Sequence, residues 1–338
     1  MPAKTSMNIG GRLIGKDSPV FLIAEMSANH NQSFEDAVAI IRAAKEAGAD
    51  AIKLQTYTPD TITIDSNKEY FRIKGGLWDG ENLYNLYKKA YTPWEWQPTL
   101  KKIADELGII LFSTPFDKSA VDFLHEMDVP AYKVASFELV DLPLIEYIAS
   151  KRKPVIMSVG MATLEEIEEA VNTARAAGAA GIALLKCTSA YPAPPDEINL
   201  KTIRHLARAF DVVAGLSDHT TGIAVPVAAA ALGAKIIEKH FTLSRARGGP
   251  DAAFSLEPAE FKAMAEAVRT AEKAIGKVHY GLTPGEEQGK VFRRSLFAVR
   301  DIKAGETFTE ENVRSIRPGQ GLPPKYIKKI LGKRPPGT

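Results

Sequence analysis

The sequence is poor in cysteine, in long apolar runs and in net charge. Its 338 residues include one cysteine, Cys187, so no intrachain disulfide can form. No apolar run approaches the ~18 residues of a membrane span, and the N-terminus lacks a signal-peptide pattern. Lys and Arg total 43 against 41 for Asp and Glu, so the net charge of +2 favours neither nucleic acid nor membrane as a partner. We therefore expect a cytoplasmic protein that binds neither.

Short apolar runs alternate with helix-like segments along most of the chain. Apolar residues recur every three or four positions in Phe34–Gly48, Leu164–Gly178 and Pro258–Gly276. This alternation predicts an α/β fold, a (β/α)8 TIM barrel over residues 1–276, with its active site at the C-terminal ends of the strands. A hairpin near the N-terminus could close the barrel floor. The predicted strands are Val20–Glu25, Ala51–Thr56, Ile109–Phe116, Ala131–Ser136, Pro154–Gly160, Ile182–Thr188, Val212–His219 and Lys235–His240.

Two segments depart from the barrel pattern. Tyr57–Pro93, after the second strand, is an unusually long loop rich in aromatic residues, chiefly tyrosine. It either serves a function or packs its aromatic rings onto the barrel. Residues 277–294 resemble a linker, and residues 295–338 predict a small β-rich domain. The chain stops soon after Gly332, as if a last strand were missing, so C-terminal truncation of this domain is one interpretation.

Two histidines stand at the C-terminal ends of the seventh and eighth predicted strands. His219 lies in GLSDHTTG and His240 in EKHFTL. Imidazoles on neighbouring strand ends can share one divalent metal ion, with water and substrate in the remaining positions. The alternative is a pair of hydrogen-bonded structural histidines. The pairing favours the metal site.

Three lysines, Lys53, Lys133 and Lys186, lie near the C-terminal ends of the second, fourth and sixth strands. Their ammonium groups would repel one another unless an anion lay between them. Salt bridges to nearby carboxylates are the alternative for each lysine alone, but the cluster favours a phosphate or carboxylate site. The sequence has no phosphate-binding glycine loop, which favours a small metabolite over a nucleotide. Hydroxyl and amide donors at the same ends are Gln55, Thr114, Ser136, Ser158, Ser189 and Ser217.

Two carboxylates complete the candidate site. Glu25 ends the first strand, and Asp251 follows the eighth. Each can orient water or bind a sugar hydroxyl. Alternatively, Glu25 pairs with Lys53, and Asp251 caps the helix that follows it.

These strand ends resemble the sialic acid synthase family in sequence and in order. The C-terminal region resembles that family's antifreeze-like (SAF) domain, so the likeness extends from about Val20 to Gly332. The branch of pseudaminic acid synthases is the most similar, on SANHNQ, the aromatic insertion and HFTLSRARGGPDAAFSLEP. The matching segments are IAEMSANHNQ, AIKLQTY, FSTPFD, YKVASFEL, CTSAYPAPP, GLSDHTTG, EKHFTL, VRDIKAGE and RPGQGL.

The resemblance implies condensation of phosphoenolpyruvate with an open-chain acetamido sugar, releasing phosphate. It implies His219 and His240 as ligands of a divalent metal, Mn2+ first and Co2+ or Mg2+ otherwise. It places Glu25 on the sugar side, where we predict that Glu25 acts as a catalytic residue by orienting or deprotonating the attacking water. It also implies a domain-swapped homodimer. The phosphoenolpyruvate residues would be Lys53, Gln55, Thr114, Lys133, Ser136, Ser158, Ser189 and Ser217, and the sugar residues Glu138, Tyr191, Asp251 and Arg317.

Alternative functions stay open at this point. An N-acetylneuraminate or legionaminate synthase would use another N-acetylated sugar. A Schiff-base aldolase on the same barrel would use Lys133 or Lys186 as a covalent nucleophile. A glycan- or ice-binding protein without catalysis would leave the polar strand ends unexplained.

Overall fold

The structure is a computed structural model described over residues 6–15 and 17–335, and these residues include a closed barrel of eight parallel strands. Helices follow the barrel strands, which confirms the predicted TIM barrel. The strands are β1 Ser6–Ile9, β2 Arg12–Gly15, β3 Phe21–Glu25, β4 Ala51–Thr56, β5 Ile110–Pro115, β6 Tyr132–Val134, β7 Val155–Ser158, β8 Ile182–Cys187, β9 Val213–Asp218, β10 Ile236–His240, β11 Ser295–Ala298 and β12 Val313–Ile316.

Capping side chains fix where several helices begin. Ser33 and Asp117 accept hydrogen bonds from first-turn amides, and Thr163 forms a capping box with Glu166. The α-helices are α1 Phe34–Glu46, α2 Pro59–Ile62, α3 Leu83–Ala90, α4 Gln97–Leu107, α5 Lys118–Glu126, α6 Leu142–Ser150, α7 Leu164–Ala176, α8 Lys201–Phe210, α9 Ala224–Ala231, α10 Pro258–Ile275 and α11 Ile327–Ile330. Short 3-10 helices span Glu69–Phe71, Trp94–Trp96, Ser136–Glu138, Pro195–Glu197, Arg245–Arg247, Ala252–Phe254, Pro284–Glu286, Gln288–Phe292 and Pro324–Tyr326.

The barrel closes between its first and last strands, β3 and β10. Glu25 lies opposite His240 on one side and Lys53 on the other. Partners in register on parallel strands point to the same face of the sheet. The register therefore brings these three side chains to one level at the C-terminal mouth of the barrel.

An antiparallel hairpin of β1 and β2 covers the opposite end. Met7, Ile9 and Ile14 from this hairpin are buried in the barrel core, each contributing roughly 1.5–3 kcal/mol of hydrophobic stabilisation. At the turn, a side chain on Gly10 would lie 3.1 Å from Ile110 at the start of β5. The hairpin therefore closes the barrel floor, as the sequence predicts.

The segment between β4 and α4 is more ordered than the loop that we predicted. It contains α2 and α3, and an isolated bridge pairs Arg72 with Asn82. The Asn82 side chain caps α3 by accepting hydrogen bonds from the amides of Tyr84 and Asn85. The insertion is thus a small helical subdomain.

Contacts divide the chain into two units, Met1–Gly276 and Lys277–Thr338. In the second unit β11 and β12 pair antiparallel, and Leu296 and Val313 form its buried apolar centre. Residues 277–294, interpreted as a linker, group with this unit and contain two 3-10 helices. Among the described residues, no helix combines the length and apolar composition needed to span a bilayer.

Candidate active site

A buried network of charges lies at the barrel mouth. The Lys53 ammonium is 3.0 Å from Glu25 Oε2 and 3.4 Å from Glu238 Oε1. Lys133 Nζ lies 3.9 Å from the same Glu238 oxygen. Glu238 therefore lies between the two lysines. Of the two roles considered for Glu25, the salt bridge with Lys53 is the one that this structure contains.

Hydroxyl groups from neighbouring strands extend the network. Lys133 donates to Ser158 Oγ at 2.6 Å, and Lys53 donates to Thr114 Oγ1 at 3.1 Å. Ser217 donates to Glu238 Oε1 at 3.2 Å. Gln55 Nε2 lies 3.1 Å from Glu25 Oε1. The hydrogen-bond donors predicted from separate strand ends therefore belong to one network around Glu25 and Glu238 at the barrel mouth.

Burial and neighbouring charges set the protonation of this network. Burial raises the pKa of Glu25 to about 7, although Lys53 opposes the shift. Burial also acts on Glu238, but Lys133 and Lys53 outweigh it and lower the pKa of that carboxyl. Burial lowers the pKa of Lys133. Glu25 can therefore exchange a proton near neutral pH, whereas Glu238 remains an anion.

Two further hydroxyl groups, those of Ser136 and Ser189, lie on either side of Gly160. Its amide donates to Ser136 Oγ at 3.1 Å. A side chain at Gly160 would meet the hydroxyl oxygens of both Ser136 and Ser189 in direct contact. The glycine, which follows β7, therefore leaves room for the hydroxyls of Ser136, after β6, and Ser189, after β8.

The two predicted histidines lie together. Their ring centroids are 5.3 Å apart, with Tyr191 4.4 Å from His219 and Phe254 4.8 Å from His240. His219 Nδ1 is 3.0 Å from the carbonyl of Thr188, which makes this nitrogen the donor and leaves Nε2 as a free lone pair. His240 Nδ1 is buried without a hydrogen-bond partner. Burial lowers the pKa of His240 well below its usual range, so its imidazole is neutral.

His240 is a neutral imidazole, and the hydrogen bond to Thr188 orients the ring of His219. Such imidazole nitrogens are suitable ligands for a divalent cation. Within residues 6–15 and 17–335, no group of three or more His, Cys, Asp or Glu side chains is arranged to hold a metal. A cation at His219 and His240 would therefore take its other ligands from water or substrate.

A cavity of about 530 Å³ opens beside the histidines. Within it, Glu138 Oε2 is buried without a hydrogen-bond partner, and burial raises the pKa of this carboxyl to about 7. Asp251 accepts a hydrogen bond from the amide of Ala28 at 3.3 Å. The residues that line the cavity include Gln55, Tyr57, Ile62, Ile73, Trp78, Leu83, Leu86, Tyr87, Phe116, Phe137, Glu138, Tyr191, His240 and Asp251.

Three further residues, Lys186, His30 and Arg317, make contacts outside the lysine network. Lys186 is half-buried and donates to the carbonyl of Cys187 at 2.6 Å, away from the lysine network. Buried His30, in the loop after β3, lies 3.1 Å from Thr92 Oγ1 and anchors the insertion. Arg317 is exposed in the second unit, with its guanidinium 5.7 Å from the Phe292 ring centre.

Sequence reasoning missed Glu238, the carboxylate shared by both buried lysines. The available signal was strand periodicity, because Glu238 precedes His240 by two positions and so shares its face of β10. Tyr191 and Asp251, predicted from resemblance, do border the cavity.

Comparisons with known proteins identify the family of this chain. The NeuB family pattern matches residues 40–280, and the SAF domain pattern matches residues 293–336. The chain belongs to the NeuB family. The resemblance to sialic acid synthases and their antifreeze-like domain is thereby confirmed.

Relatives named pseudaminic acid synthase include proteins from two bacteria. The protein from Campylobacter jejuni subsp. jejuni is 49% identical over 328 residues, covering 97% of this chain and 95% of the relative. The protein from Helicobacter pylori is 45% identical over 317 residues, covering 94% and 93%. The crystal structure of N-acetylneuraminic acid (sialic acid) synthetase from Leptospira borgpetersenii, in complex with citrate, has a TM-score of 0.76 at 32% identity and covers 85% of this chain and 95% of that one.

Proposed function

We propose that this protein is a cytoplasmic pseudaminic acid synthase. It condenses phosphoenolpyruvate with 2,4-diacetamido-2,4,6-trideoxy-altrose and releases phosphate and a nine-carbon nonulosonic acid. The observation that carries the proposal is the 49% identity to a pseudaminic acid synthase over 97% of the chain. The buried lysine network at the barrel mouth and the cavity of about 530 Å³ beside His240 support it.

The lysine network provides the phosphoenolpyruvate site. Lys53 and Lys133 face the carboxylate of Glu238, and when Glu25 is protonated, as its pKa of about 7 allows, the network keeps a net positive charge for a phosphate and a carboxylate. Thr114, Ser158 and the other strand-end hydroxyls supply fixed donors. Holding both anionic groups of the substrate sets the orientation of its enol carbon toward the cavity.

We propose that His219 and His240 hold a divalent cation, with Mn2+ first and Co2+ or Mg2+ as alternatives. The free nitrogen of His219 and the unpartnered Nδ1 of His240 support this assignment. The cation supplies Lewis-acid polarisation of the sugar aldehyde. The protein's own contribution is to hold both rings in a fixed orientation and to keep the imidazole of His240 neutral.

In the reaction, C3 of phosphoenolpyruvate attacks the aldehyde carbon, and the aldehyde oxygen gains a proton to become a hydroxyl. Water adds to C2 and loses a proton, and the C2–O bond then breaks to release phosphate and form the ketone. Glu25, with a pKa of about 7, is placed to orient that water or take its proton. The lysines bind the phosphate as it leaves.

We further propose a domain-swapped homodimer in which Arg317 of one chain completes the sugar site of the other. Arg317 is exposed, and among the described residues it has no carboxylate partner within its own unit. A guanidinium can bind the hydroxyl or carboxylate oxygens of a sugar acid.

The proposed function predicts a clear choice between sugars. With phosphoenolpyruvate and Mn2+, we expect phosphate release with 2,4-diacetamido-2,4,6-trideoxy-altrose and a kcat/KM about 100-fold lower with N-acetylmannosamine, which lacks the 4-acetamido group and carries extra hydroxyls. Equal efficiency would indicate an N-acetylneuraminate synthase, and preference for another diacetamido sugar a legionaminate synthase. A lysine adduct trapped by borohydride would instead support a Schiff-base aldolase.

A further inference from the structure

The apolar face of α3 borders a cavity instead of packing into the core. Leu83, Leu86, Tyr87 and Ala90 recur at helical spacing and line the cavity of about 530 Å³. None of the described residues of α3 is buried. An apolar stripe left half-exposed gains stability when an apolar group covers it.

The cavity has walls of contrasting chemistry. The polar wall consists of Gln55, Glu138, His240 and Asp251, which come from the strand ends of the barrel and the loops that follow them. The aliphatic wall consists of Ile62, Ile73, Leu83 and Leu86, which come from the insertion.

The insertion holds the aliphatic wall together. Helix α2, which ends at Ile62, packs against α3. The bridge between Arg72 and Asn82 brings Ile73 beside the start of α3. Trp78 fixes the insertion to the barrel by donating from its indole nitrogen to the carbonyl of Pro250 at 3.0 Å.

We propose that the aliphatic wall selects sugars whose sixth carbon is a methyl group, and rejects those with a hydroxyl there. The inference rests on the proposed function. Bond formation requires the aldehyde, C1, at the polar wall beside the histidines. The sixth carbon is the atom of the open chain furthest from C1, so it reaches toward the insertion.

The aliphatic wall is expected to reject a hydroxyl on the sixth carbon because of the chemistry of its side chains. The side chains of Ile62, Ile73, Leu83 and Leu86 have no hydrogen-bonding group. A hydroxyl placed against them loses its bonds to water and gains none in return, whereas a methyl group covers the exposed apolar stripe. Such a pocket discriminates against an added hydroxyl by about 10- to 100-fold in kcat/KM.

The test uses two sugars that differ by one oxygen atom, 2,4-diacetamido-2,4,6-trideoxy-altrose and 2,4-diacetamido-2,4-dideoxy-altrose. For the natural sequence we expect kcat/KM to be about 10- to 100-fold higher with the 6-deoxy sugar. Leu86→Asn places an amide on the wall and should reduce this ratio about tenfold. Lys88→Asn, on the exposed face of the same helix, should leave the ratio unchanged.

The possible outcomes distinguish the selectivity for a methyl group, its assignment to the aliphatic wall, and the proposed function. Turnover of both sugars with equal kcat/KM would overturn the inference while leaving the proposed function intact. A ratio that is the same in Leu86→Asn, Lys88→Asn and the natural sequence would overturn the assignment to this wall. If Leu86→Asn unfolds, Ile62→Thr provides the same comparison from α2. Turnover of neither sugar would refute the proposed function, and the inference with it.

Discussion

Replacing either His219 or His240 with alanine is expected to lower kcat/KM by about 1,000-fold, because each change removes one of the two protein ligands proposed for the cation. Treatment with a chelator should abolish phosphate release in the natural sequence, and Mn2+ or Co2+ should restore it. The measurements are phosphate release and metal content per chain after dialysis.

His205→Ala is the matched control, because His205 is an exposed residue of α8 remote from the barrel mouth. It should retain activity and metal content. All three variants should remain folded, and a modest loss of thermal stability is expected only in His219→Ala and His240→Ala, because their rings are buried against Tyr191 and Phe254. Full activity after rigorous chelation, or unchanged metal content in both active-site variants, would refute the metal assignment.

Mixing two inactive variants is expected to restore activity if the small domain acts on the neighbouring chain. His240→Ala removes a proposed metal ligand from the barrel, and Arg317→Ala removes the proposed sugar contact from the second unit. In a swapped heterodimer, one of the two sites combines an intact barrel with an intact Arg317. Activity per heterodimer should therefore return to about half that of the natural dimer, because one site in two is whole, and a one-to-one mixture that pairs at random should recover about a quarter.

The control is a mixture of His240→Ala with His219→Ala, which leaves no intact barrel in any pairing. It should stay inactive under the same refolding and mixing conditions. Heterodimers confirmed by mass that remain inactive in the His240→Ala and Arg317→Ala mixture would show that Arg317 does not complete its partner's site.

The sequence predicts the barrel well because its pattern is simple. Each barrel strand is short and apolar and ends in polar residues, and the bounds of β4, Ala51–Thr56, agree with the predicted run. The hydrogen-bonded side chains of Lys53 and Lys133 also follow from strand order, since parallel strand ends meet at one mouth. The partners of the two lysines do not follow, because Glu238 was one acidic residue among many until the register placed it between them.

The insertion was harder to predict than the barrel. Its helices are short, and the apolar face of α3 does not contact the main core, so no long amphipathic pattern marks them. Asn82 as a cap and the spacing of Leu83, Leu86 and Ala90 were the available signals. The role of Arg317 stays a prediction, because it depends on how two chains assemble.

One labelling measurement tests the central claim, condensation with cleavage of the C–O bond of phosphoenolpyruvate. The substrate is phosphoenolpyruvate with heavy oxygen in the bridge between C2 and phosphorus, supplied with 2,4-diacetamido-2,4,6-trideoxy-altrose. We expect the label to appear in the released phosphate, together with an unlabelled nine-carbon acid, both detected by mass spectrometry. Label retained at C2 of the sugar acid would mean cleavage of the P–O bond and would contradict the proposed reaction.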